Sequence, residues 1–188
     1  SFFGEIIISA SIIIWAIRLG SFLFLRIKKA GEDKRFREFK KSSSRWLLTW
    51  TTSGMWVTIC SLCGLTAISS NSVIEMGLLF YFGLFLFITG LIVEIVADHQ
   101  KTKFRSIPTN KGKFISTGLW SKSRHPNYVG EITLWLGISI MSFSNLEGLE
   151  LITLISPIFT YWLLVYVSGV NILEKNGQKK WWHLDSYK

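Results

Sequence analysis

Between Lys122 and Glu131 the chain reads Lys-Ser-Arg-His-Pro-Asn-Tyr-Val-Gly-Glu. Arg124 and Lys122 supply cations, His125 an imidazole, Asn127 an amide, Tyr128 a phenol and Glu131 a carboxyl group. Pro126 suits the first position of a helix, where its missing N–H would have had no partner. From Val129 to Phe143 the residues are almost all apolar, so that helix runs on into hydrophobic surroundings. Its mouth exposes free backbone N–H groups and the positive end of the helix dipole beside Arg124 and Lys122, which together suit an anion. Asn127, Glu131 and Trp135 follow at i, i+4 and i+8 and share one face. A helix built only to pack has no need of an amide and an acid stacked in its first turns. The chemistry indicated is anion binding beside groups able to exchange protons.

Further ionisable groups sit in or next to apolar stretches. Arg18, Glu94 and Glu131 lie inside such segments and Asp98 ends one. A charge near the centre of a bilayer costs about 2.5–3.5 kcal/mol even on lenient scales. Glu94 and Asp98 are four residues apart and share a face. The loop beyond them carries Lys101, Lys103, Arg105, Lys111 and Lys113, broken by Pro108 and Gly112. Cations on a turning backbone suit phosphate groups, although any cytoplasmic loop is enriched in the same residues. The pattern predicts one wet cavity, open to the cytosol, that gathers Glu94, Asp98, Arg124 and Glu131. Cys60 and Cys63 form a Cys-x-x-Cys pair in an apolar run with no further zinc ligands nearby. They are expected to pack, and no metal site is predicted.

The elements that must hold these groups are membrane helices. Of 188 residues 49% are hydrophobic, with nine Trp and fourteen Phe, and the net charge is +9. Five segments approach the roughly 20 apolar residues that a crossing needs: about 2–25, 46–69, 73–97, 127–144 and 149–172. Of the 21 Lys and Arg, all but Arg18 fall in residues 26–45, 98–126 and 173–188. The turns near 70–74 and 145–150 have only acids in or beside them, Glu75, Glu147 and Glu150. Basic loops stay on the cytoplasmic (or matrix) side, and five crossings place all three there. The expected fold is therefore an all-α polytopic membrane helix bundle, five transmembrane helices in one membrane domain over residues 1–188, with a cytosol-facing cofactor cavity. The chain starts at Ser1 without a methionine, so N-terminal segments are expected to be missing, and no cleavable signal peptide is visible. Residues 26–45 read as a basic loop attracted to anionic head groups, with a surface helix that turns Phe36 and Phe39 to lipid as the alternative. The aromatic tail, Trp181, Trp182 and Tyr187, suits either a fold-back over the cavity or an interfacial belt. No nucleic-acid module is present, so lipid bilayer rather than DNA or RNA is the expected partner.

With Arg124-His125-Pro126-Asn127-Tyr128-Val129-Gly130-Glu131 in view, the chain resembles the steroid-reductase-like integral membrane family of unknown function. That family is related to steroid 5-alpha-reductases and sterol reductases, and more distantly to isoprenylcysteine carboxyl methyltransferases. The resemblance takes in Trp15-Ala-Ile-Arg18-Leu19, Gly31-Glu32-Asp33-Lys34-Arg35, Glu94 to Lys101 and Leu173-Glu174-Lys175. It implies NADPH held at the cytosolic face and a hydride passed to a carbon–carbon double bond of a lipid-like substrate, steroid or fatty enoyl. It further implies Tyr128 and Glu131 as catalytic groups, and Glu94, Asp98, Arg105, Lys113, Arg124, His125 and Asn127 as cofactor-binding groups. No Gly-x-Gly-x-x-Gly turn exists for a Rossmann site. Near Arg18, where steroid reductases carry a proton-donating tyrosine, this chain has Trp15. The alternatives are an S-adenosylmethionine-dependent prenylcysteine or lipid carboxyl methyltransferase, and a non-catalytic accessory subunit of a membrane complex that kept the fold.

Overall fold

The computed structural model describes residues 2–31, 42–167, 169–184 and 187. Among them every regular element is a helix. α1 spans Phe2–Ala30, α2 Ser43–Ser69, α3 Leu78–Ser106, α4 Pro126–Ser142, α5 Ile155–Trp162 and α6 Val170–Trp181. Four stretches are long and apolar enough to cross a membrane: Phe2–Lys29, Ser43–Ser69, Leu78–Ser106 and Gly148–Trp181. Their outward faces carry large apolar side chains such as Leu78, 88% exposed, together with Phe24, Phe85 and Ile158. Water would not tolerate so much unbroken apolar surface, so the chain is built for a bilayer.

Four of the five expected crossings coincide with these long apolar helices. The fifth segment, placed at 127–144, is the 17-residue helix α4. At about 1.5 Å per residue it covers about 25 Å, the lower end of what a crossing needs. Two other boundaries also moved. α3 begins at Leu78 rather than near 73, and it continues nine residues past 97 to Ser106. Polarity at Asp98 does not stop a helix; Pro108 does, by forcing Ile107 into an extended conformation with φ −86° and ψ 117°. The last apolar segment opens as a 3-10 turn, Gly148–Leu154, and is interrupted by a π turn at Leu163–Val167. The surface helix expected around Phe36 and Phe39 lies outside the described residues.

α3 and α4 make the tightest pair because glycines face each other at two levels. A methyl group placed on Gly90 would lie 2.6 Å from the Gly130 carbonyl oxygen. One placed on Gly137 would lie 2.6 Å from the Gly83 carbonyl oxygen. No side chain fits there, and the backbones meet directly. Around this pair the core is filled by Ile8 and Trp15 of α1, Cys60 and Cys63 of α2, Phe87 of α3, and Leu134 and Trp135 of α4. Both cysteines are free and buried. Polar groups stitch α5 to α2: the Ser156 hydroxyl donates to the Ile59 carbonyl at 2.7 Å, and Thr160 Oγ1 donates to Cys60 Sγ at 3.0 Å.

Candidate functional site

The polar groups gather at one end of the bundle, in two adjoining compartments. The inner one lies among α1, α3 and α4. The Arg18 guanidinium reaches across from α1 and pairs with Glu94 and Asp98, one turn apart on α3. Its bond from Nη2 to Asp98 Oδ2 is 2.5 Å. Glu131 faces the same cluster from α4 and is only 6% exposed. Glu131 Oε1 and Glu94 Oε2 are enclosed without hydrogen-bond partners. Against Glu131 stands an aromatic wall, in which Trp15 meets Trp135 edge-on at 4.7 Å and Trp56 at 6.0 Å.

The outer compartment is an open cavity of about 840 Å³. Among the described residues its cationic lining is Lys101, Arg105, Lys113, Lys122, Arg124 and Lys180, against the one acid Glu174. The wall from α4 begins at His125, whose ring stacks on Tyr128 with centroids 5.7 Å apart and planes 16° apart. Glu174 of α6 joins two neighbours at once. Arg124 Nη1 donates to Glu174 Oε2 at 2.7 Å, and His125 Nε2 lies 2.8 Å from Glu174 Oε1. Burial pushes the His125 pKa down, and this outweighs the upward pull of Glu174; Lys101 and Arg124 add to the lowering. Arg124 Nη2 also donates to the Tyr187 carbonyl at 2.6 Å, and the Trp181 indole N–H donates to the Gly112 carbonyl at 2.7 Å. Phe114 closes the aromatic side, 5.1 Å from the Tyr187 ring. Of the two roles open to the tail, the fold-back is the one that Trp181 and Tyr187 adopt.

The 840 Å³ cavity brings together Arg105, Lys113, Arg124 and His125. Glu94, Asp98 and Glu131 are not among its lining residues and cluster around Arg18. Beside them the Gly90–Gly130 approach brings α4 directly onto α3. Trp120 and Lys101 line the cavity on the side of α3 that carries Asp98. The Trp120 indole N–H donates to the Ala97 carbonyl at 3.0 Å, and Lys101 Nζ sits 4.5 Å above its ring. Asn127 and Tyr128 lie on the first turn of α4, outside the cavity lining, and Asn127 Oδ1 is enclosed without a partner. Arg18 was singled out in the sequence as a charge inside an apolar run, but without a role in the site; Glu174, noted only within Leu173-Glu174-Lys175, is the site residue that sequence reasoning passed over.

The profile of one protein family matches residues 3–188 of this chain. The chain belongs to the family DUF1295, proteins of unknown function. A relative of this DUF1295 chain is the protein named "Probable O-methyltransferase ustE" from Ustilaginoidea virens, 36% identical over 70 residues. The match covers 37% of this chain and 24% of that protein, so the chain spans about a quarter of its relative's length. No solved structure matches this DUF1295 chain.

Proposed function

We propose that the chain is an NADPH-dependent membrane reductase that adds hydrogen across a carbon–carbon double bond of a lipid-like, steroid or fatty enoyl substrate. The observation that carries this reading is the charge of the cavity, among the described residues six cations around one acid that is already held by Arg124 and His125. Such a wall attracts a phosphate-rich dinucleotide and repels a net-positive sulfonium cofactor. The enclosed His125 Nδ1 and Asn127 Oδ1 lack partners and offer a donor or acceptor to a polar ligand. Arg105, Lys113, Lys122 and Lys180 would hold phosphates, with Arg124 and His125 framing the inner wall. Phe114, Trp181 and Tyr187 provide flat faces for a base. NADPH supplies the hydride. Tyr128 and Glu131, on the side of α4 that leads inward, would orient the reacting end and manage its proton. Glu94 and Asp98 fix Arg18 rather than touch the cofactor. The positive-inside rule puts the basic end in the cytosol or matrix.

The second reading, transfer of a methyl group from S-adenosylmethionine to a lipid carboxylate, is favoured by the name of the partial relative. Glu174 is the group that could receive the cofactor's ammonium. Thermal-shift titration of the purified protein in detergent, with NADPH, NADH and S-adenosylmethionine, separates the readings. A ligand at 100 times its Kd stabilises by about 2.7 kcal/mol. We expect NADPH to raise the midpoint. A rise with S-adenosylmethionine and none with NADPH would establish the second reading, and silence from all three would favour an accessory subunit.

A further inference from the structure

The inner compartment holds more acid than its cations can balance. Glu94 and Asp98 are both paired with Arg18. Lys101, one turn beyond Asp98, acts on Asp98 from the cavity side. Glu131 makes no ion pair among the described residues, although it sits within electrostatic reach of Arg18, Asp98 and Glu94. Among the described residues the other elements packed around it bring no further cation: α1 contributes Trp15 and Arg18, and α2 contributes Trp56 and Cys60. Glu131 is 94% buried in this sense, being 6% exposed, and its Oε1 is enclosed without a partner. A carboxylate there would be a desolvated charge without an ion pair of its own, steadied only by the Trp135 and Trp15 indoles and an Arg18 already held by two acids, and proteins avoid such a charge.

We propose that Glu131 carries a stored proton, a neutral carboxylic acid kept inside the bundle, and that this is the proton the proposed reduction consumes. Storage follows from the charge balance alone, whereas delivery rests on the reductase reading. In that reaction the alkene receives a hydride with its electron pair at one carbon, at the expense of NADPH. The electron pair displaced from the double bond then takes a proton at the other carbon, as the Glu131 O–H bond breaks. Tyr128 lies three residues earlier on the same face of α4, and its ring stacks on His125 at the cavity wall, so that face joins the acid to the cavity. The resulting Glu131 carboxylate is transiently stabilised by Arg18 and regains its proton from water.

Infrared spectroscopy of the full chain in detergent, without cofactor, reads the proton directly. At neutral pH the wild type should show a carboxylic acid carbonyl band that shifts in D2O. Glu131→Gln should abolish it, and Glu147→Gln, at an exposed position, should leave it intact. Should the glutamine variant fail to fold, Glu131→Asp is expected to move the band. Absence of any acid band at neutral pH, survival of the band in Glu131→Gln, or an unmoved band in Glu131→Asp would overturn the proposal. The NADPH thermal shift is measured on the same samples. A band without a shift sinks the reductase reading and leaves the stored proton standing; a shift without a band does the reverse.

Discussion

His125 shows how a single side chain at the cavity wall responds to competing forces. Burial favours the neutral ring, and Glu174 at 2.8 Å favours the charged one; burial prevails and the pKa falls below the usual 6.5. As pH drops, the unfolded chain therefore takes up this proton before the folded one does. The stability contributed by neutral His125 is complete above about 6.5 and is lost progressively below it. Melting points of wild type and His125→Gln, followed from neutral to mildly acidic pH, should converge as the wild type loses this advantage. Glu174→Gln removes the group that holds the pKa up, so its acid-side loss should be steeper than that of the wild type. Arg124 is 45% exposed, so its pair with Glu174 contributes about 1 kcal/mol at most. The spacing of Asn127, Tyr128 and Glu131 was legible because a helix repeats every few residues. The partners of Glu94 were not, since Arg18 lies 76 positions away and no periodicity encodes that contact.

Helix pairs set the next level. α3 and α4 touch through Gly83, Gly90, Gly130 and Gly137, where backbone atoms occupy the space of side chains. Gly90→Ala or Gly137→Ala should destabilise the protein by about 1–3 kcal/mol through overpacking. Gly90→Ala and Gly130→Ala together should be non-additive, since each methyl group meets the backbone of the other helix at the same contact. Thermal unfolding in detergent would check both. Additive, near-zero effects would show that the two helices are free to separate. The apolar runs announced α1, α2 and α3 correctly as elements, because unbroken hydrophobicity is a strong signal. Their ends were harder to read. Asp98 looked like a terminus on polarity, whereas the chain stops at the steric barrier of Pro108. The 149–172 segment looked like one helix because its 3-10 and π turns differ from an α-helix in hydrogen bonding, not in composition.

The whole molecule is an apolar bundle with its charge gathered at one end. If that end lies in the cytosol, cysteines introduced at Arg45, Lys111 and Lys122 should react with a membrane-impermeant maleimide only after the membrane is opened from inside. A cysteine at Glu147 should react from outside. The native Cys60 and Cys63 are buried and give a quiet background. The cavity makes a second prediction: Lys113→Ala should weaken NADPH about tenfold, equivalent to about 1.4 kcal/mol, with S-adenosylmethionine unaffected. Titration calorimetry would measure it. Nearly all the candidate groups sit on α3 and α4: Glu94, Asp98, Lys101 and Arg105 on the first, and His125 through Glu131 at the head of the second. Because glycine contacts clamp those two helices backbone to backbone, they make the firm wall of the cavity. The facing wall hangs on the Trp181 bond to the Gly112 carbonyl, so any adjustment to what the cavity holds falls to α6 and its aromatic end.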